Sequence, residues 1–183
     1  MAMAYVEDVL RFWFDELTPE QWFRKDDALD AEIRTRFADT LTSLAAGFDM
    51  EDALRTPDSA LAAVIVLDQF PRNIFRGSPQ AFATDPVALR LAKSVVERGL
   101  DRDVPLQRRV FLYLPYEHSE NIDDQRTCMT LMATLGNDEY TRYAKAHYDI
   151  IECFGRFPHR NEALGRTSTP EEIEFLKQPG SGF

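Results

Sequence analysis

Three short stretches hold most of the residues whose types suit chemistry. The first is Leu67-Asp68-Gln69-Phe70-Pro71-Arg72-Asn73-Ile74-Phe75-Arg76. The second is Leu114-Pro115-Tyr116-Glu117-His118-Ser119-Glu120. The third is Phe154-Gly155-Arg156-Phe157-Pro158-His159-Arg160-Asn161. Each follows an apolar run and turns at a proline into charged or amide side chains. Polar groups this close to buried chain must be paired, or must face a pocket. Asp68 and Arg72 are four apart, as are Gln69 and Asn73, so each pair shares a helical stripe. Residues 65–76 carry a net +1 (Asp68, Arg72, Arg76) and residues 154–166 a net +2 (Arg156, Arg160, Arg166, Glu162), in a chain of net −10. Planar guanidinium forks suit carboxylate or phosphate. Internal pairing with Asp68, Asp85, Glu117 and Glu120 is the competing use of these arginines.

Other chemistries have less support. The histidines are His118, His147 and His159, and no His-x-x-x-His or Glu-x-x-His spacing preorganises them for a metal. No metal or cofactor is therefore expected. There is no Gly-x-Ser-x-Gly elbow, no cysteine beside a histidine, no Gly-x-Gly-x-x-Gly and no P-loop. Acid–base work by a histidine with Asp68 or Glu117 stays open. Ser119 and Glu120 have a simpler use as the cap and first turn of the helix that follows.

Helical periodicity runs through the chain that must position these groups. Tyr5 to Phe14 places Val6, Val9, Leu10, Trp13 and Phe14 on one face. Thr18-Pro19-Glu20-Gln21 and Thr169-Pro170-Glu171-Glu172 are helix starts. Residues 27–46 form a long amphipathic helix ended by Gly47. Residues 58–70 are apolar almost all round and predict a central helix that kinks or ends at Pro71. Further helices are expected from Asp85 to Gly99, from Pro105 to Pro115, over 121–135 and over 137–154. His147 falls on the buried stripe of the last of these, and Gln125 on the apolar stripe of the one before it. No sustained period-two alternation predicts a sheet. The expected fold is a single all-α domain over 1–177, an αα-superhelix or helical bundle, with a flexible tail at 178–183.

Composition narrows the class. A net charge of −10 opposes nucleic acid and anionic membranes. The longest apolar run, Ala60 to Leu67, falls far short of the roughly 20 residues of a membrane span. Met1-Ala2-Met3-Ala4-Tyr5 lacks the basic and apolar regions of a signal peptide. Cys128 lies in an apolar run as a packed, reduced thiol, and a cytoplasmic location is expected.

Leu10-Arg11-Phe12-Trp13-Phe14, Leu67 to Gly77, Phe111 to Glu120, and Phe154 through Arg166 to Leu176 resemble the largely bacterial family catalogued as domain of unknown function 924. The resemblance covers nearly the whole chain in order. It implies an all-helical, tetratricopeptide-like fold and no established activity. Asp68, Gln69, Arg72, Asn73, Arg76, His118, Ser119, Glu120, Gln125, Arg156, His159, Arg160, Asn161 and Arg166 match the family's motifs. At Glu117 the chain departs from relatives, which tend to carry an apolar residue there.

The motif residues other than Ser119, with His147, are expected to line one polar pocket where the three stretches converge. The leading expectation is a binding module for a small anionic ligand or an acidic peptide. A hydrolase using His118, His147 or His159 with a carboxylate is the first alternative. A purely structural polar network is the second.

Overall fold

The computed structural model describes residues 4–182. Met1 to Met3 of the stretch read for a signal peptide, and Phe183 of the expected tail, lie outside the described residues. Helices α1 (Ala4–Arg11), α2 (Pro19–Trp22), α3 (Asp27–Ala46), α4 (Met50–Ala53), α5 (Pro57–Val64), α6 (Phe70–Ile74), α7 (Asp85–Arg98), α8 (Leu106–Glu117), α9 (Ile122–Ala133), α10 (Asp138–Phe154) and α11 (Pro170–Leu176) follow in chain order. The described residues contain no strand, and the fold is all-α. None of these helices is long and apolar enough to cross a membrane.

Sequence neighbours pack together. Helix α7 lies on α8, α8 on α9 and α9 on α10, while α1 and α7 flank the central α5. Residues Ala60 to Val64 of α5 are fully or almost fully buried, as an all-round apolar run requires. Trp13, Phe37, Phe70 and Phe111 anchor the core around it, with Phe37 stacked on Phe70 at 4.8 Å and Trp13 edge-on to Phe111 at 5.7 Å.

The prolines behave differently from expectation. Pro71 does not end the central helical run. The turn before it, Ile65–Gln69, widens to a π-helical turn, with the Phe70 N–H donating to the Ile65 carbonyl, and α6 then continues to Ile74. The Leu67 carbonyl, which Pro71 cannot serve, accepts from Thr84 Oγ at 2.5 Å. Helix α8 likewise runs through Pro115 to Glu117, because its last turn is buried on all sides and closes with the His118 N–H donating to the Leu114 carbonyl at 2.9 Å. These continuations decide where Asp68, Arg72, Glu117 and His118 point.

Candidate functional site

The expected single constellation divides into three. Asn73 and Arg76, at the end of α6, turn away from the other two stretches toward α3. Arg76 grips the Asp30 carboxylate with two bonds of 2.6 and 2.8 Å, and Asn73 Nδ2 donates to the same carboxylate at 2.8 Å. Asp30 held no place among the candidates, since it lies 43 and 46 residues from these partners.

The third stretch builds a latch. Arg156 forks onto Glu172 of α11 at 2.7 and 2.8 Å. Arg166 forks onto Glu120 at 2.8 and 2.9 Å and also donates to Asn161 Oδ1 at 2.9 Å. Glu120 accepts from the Phe157 N–H, and Asn161 Nδ2 donates to Ser168 and Glu172. The Arg156 fork, together with the α11 cap at Thr169, holds the Glu172 carboxyl down at about 2. Gln125 acts as a brace, its Nε2 donating at 2.7 Å to the carbonyls of both Glu117 and Ser119, which have no helical partner at the end of α8. In these residues the internal-pairing alternative describes the geometry.

The remaining candidates meet in a polar centre between the turn after α5, the end of α8, α10 and the 158–160 turn. Asp68 is fully buried. Its Oδ1 lies 2.9 Å from His118 Nδ1 and 3.6 Å from Arg72 Nη1, and its Oδ2 accepts from Gln69 Nε2 at 2.6 Å. Burial alone would raise this carboxyl, but His118, Arg72 and the bond from Gln69 outweigh it and hold it well below the usual carboxylate range. The expected Asp68–Arg72 pair is therefore loose. Arg72 forks instead onto Asp85 at 2.8 and 2.9 Å and donates to the Asp68 carbonyl at 2.6 Å.

Arg160 differs from every other candidate arginine. Its guanidinium lies between the rings of Phe157 and Phe82, 4.5 and 4.7 Å from their centroids. Its nearest carboxylate oxygen, on Asp85, is 3.5 Å away, and among the described residues its buried Nε has no hydrogen-bond partner. Burial and the neighbouring Arg72 cation lower its pKa to about 10. The site thus contains a buried cation whose surroundings under-compensate its charge.

The histidines line this centre. His147 is buried as its stripe predicts, with Nδ1 2.9 Å from the Tyr143 carbonyl. Its ring stands 6.4 Å from that of His118 and 5.6 Å from that of Phe157. Burial pushes His147 down to about 3 and His159 to about 4, with Arg160 adding to both. Glu117 lies behind them, its Oε1 3.5 Å from His147 Nδ1 and its Oε2 4.0 Å from Cys128 Sγ. Burial, with the Asp68 charge, raises the Glu117 carboxyl to about 8, so this acid is mostly protonated at neutral pH. Burial also raises the Cys128 thiol far out of reach of a nucleophilic role.

Solvent reaches the centre over a narrow rim, with the side chains of His118, Arg72 and Asp85 exposed by 14%, 20% and 19%. Surface hollows of about 490 and 460 Å³ lie beside Arg156 and beside Arg76, and the His118–Arg160 centre lines neither. Among the described residues no group of three His, Cys, Asp or Glu side chains is arranged to hold a metal ion. Asp85, named in the sequence as a possible partner of the arginines, takes the fork of Arg72. Phe82 is the position in this centre that the sequence did not mark, because it sits in a turn-rich stretch with no periodicity to orient it.

The family model described as "Bacterial protein of unknown function (DUF924)" matches residues 9–180. The solved structure of a protein of unknown function, ATU0120 from Agrobacterium tumefaciens, is similar at a TM-score of 0.90 and 42% identity, over 97% of this chain and 99% of that one. No curated protein matches the chain.

Proposed function

We infer a function from the polar centre itself, because the chain belongs to the DUF924 family of bacterial proteins of unknown function and the family brings no activity with it. The reading is a binding module for a small anionic ligand, with Arg160 as its anchor. The observation that carries it is the state of Arg160: a buried guanidinium set against two rings, with an unused Nε donor and its nearest carboxylate, Asp85, 3.5 Å away and already forked by Arg72. A bound carboxylate or phosphate would supply the missing charge and acceptors. The narrow rim favours a small ligand over an extended acidic peptide. In the same reading the helix pairs are tetratricopeptide-like and the module works in the cytoplasm, in keeping with its free cysteines.

Thermal unfolding against a panel of carboxylic acids and phosphorylated metabolites tests the reading. A ligand at 100 times its Kd stabilises the fold by about 2.7 kcal/mol. A saturable rise in melting temperature is expected, and it should vanish in Arg160→Ala. A flat panel, or an equal rise in the variant, would remove Arg160 as anchor.

A second reading rests on the Asp68–His118 contact. A buried carboxylate that orients an imidazole is the arrangement of a general base, and a hydrolase would use His118 to take a proton from water. It requires that His118→Ala abolish turnover of a bound substrate while leaving binding in place.

A further inference from the structure

We propose that the ligand of this centre carries two complementary groups: an anionic oxygen for Arg160 and a separate O–H or N–H donor for His118, as a hydroxycarboxylic acid does. The inference rests on the anion-binding reading above and specifies the chemistry of the second contact.

The two carboxylate oxygens of Asp68 are met by His118, Gln69 and, more distantly, Arg72, and these contacts keep it ionised. An ionised carboxylate only accepts hydrogen bonds. The 2.9 Å contact to His118 Nδ1 therefore requires the hydrogen on Nδ1. A neutral imidazole protonated at Nδ1 presents a lone pair at Nε2. Burial and the Arg72 cation lower the pKa of His118, so the ring is neutral at physiological pH although Asp68 pulls the other way.

The charged and titratable groups around the ring include Asp68, Arg72 and Asp85 on one side, Glu117 on its own helix, His147 on α10, and His159 with Arg160 on the turn beyond. Among the described residues nothing hydrogen-bonds His118 Nε2, and the side chain is on the exposed rim. His147 and His159 both feel the charges of His118 and Arg160, and a ligand that spans the two side chains would find an acceptor at His118 and donors at Arg160. A ligand with acceptors alone would set an oxygen lone pair against that of Nε2. A ligand with a hydroxyl or amine satisfies both, and a site built around such a bond discriminates against the analogue that lacks it.

The test is calorimetric titration of the full chain with malate and with succinate, which differ by one hydroxyl group. Malate should bind at least about tenfold more tightly, as expected for one hydrogen bond that succinate cannot make. Equal affinity for the two acids would overturn the inference while leaving the anion reading intact. Binding of neither acid would overturn the hydroxycarboxylate assignment, and only a flat response to the phosphorylated compounds as well would overturn the anion reading. Asp68→Asn gives an independent check. Gln69 Nε2 would hold the new carboxamide oxygen, the amide nitrogen would face His118 Nδ1, and the ring hydrogen would move to Nε2. The variant should then lose or reverse the preference for malate. A preference retained in a folded Asp68→Asn protein would overturn the assignment of Nε2 as acceptor.

Discussion

Replacing Glu117 by Gln should remove most of the loss of stability that the chain suffers between pH 6.5 and 8. The Glu117 carboxyl titrates at about 8 in the folded chain against 4.5 when unfolded. A raised pKa adds stability that is fully present below 4.5 and is lost as the pH climbs toward 8, since the folded state holds a proton that the unfolded state has released. The limiting slope is about 1.4 kcal/mol per pH unit. Between pH 6.5 and 8 the cumulative loss comes to about 2 kcal/mol. The histidines still release protons from the unfolded chain in the lower part of this window, in wild type and variant alike, so the Glu117 contribution is the difference between the two proteins; the Cys128 thiol and buried tyrosines titrate above the window. Urea unfolding of the wild type and Glu117→Gln at half-unit steps of pH measures the difference. Across the window the wild type should lose about 2 kcal/mol relative to the variant. Parallel curves would refute the claim that Glu117 is a buried, protonated acid.

Other changes follow from the same contacts. Below pH 6.5 the slope should reverse: His147 and His159 are held low at about 3 and 4, so the stability they lend is present above 6.5 and lost as the pH falls. His147→Phe should make acid unfolding less steep, as followed by circular dichroism. Arg166→Ala strands Glu120 and Asn161 and should destabilise by about 2–3 kcal/mol in urea unfolding, without changing ligand affinity. Thr84→Val removes the donor that satisfies the Leu67 carbonyl and should cost about 1–2 kcal/mol by the same measurement.

Much of the scaffold was legible in the sequence. Apolar periodicity and the Thr-Pro starts located the helices, and the stripe on α10 put His147 inside. The prolines misled because their effect depends on distant partners: Pro71 fits a widened turn whose spare carbonyl is served by Thr84, seventeen residues further on. The site was half legible. Residue types and net charge marked three polar stretches, but charge counting does not say which arginine meets which carboxylate. Asp30 sits beside the apolar stripe of α3, and nothing in its local sequence marks it as the partner of Asn73 and Arg76. Glu172 read as a helix cap, and it does accept from the Thr169 N–H, but it also occupies Arg156. Only the tertiary contacts separate Arg160, which is under-compensated, from Arg76, Arg156 and Arg166, which are taken.

Equilibrium titration of the most stabilising ligand into wild type, Arg160→Ala and Arg156→Ala tests that separation most directly. The account predicts that Arg160→Ala weakens binding by about a hundredfold, the loss of one charge-assisted contact. Arg156→Ala should bind within about threefold of wild type although it unfolds more easily. Equal losses in both variants, or a larger loss in Arg156→Ala, would contradict it.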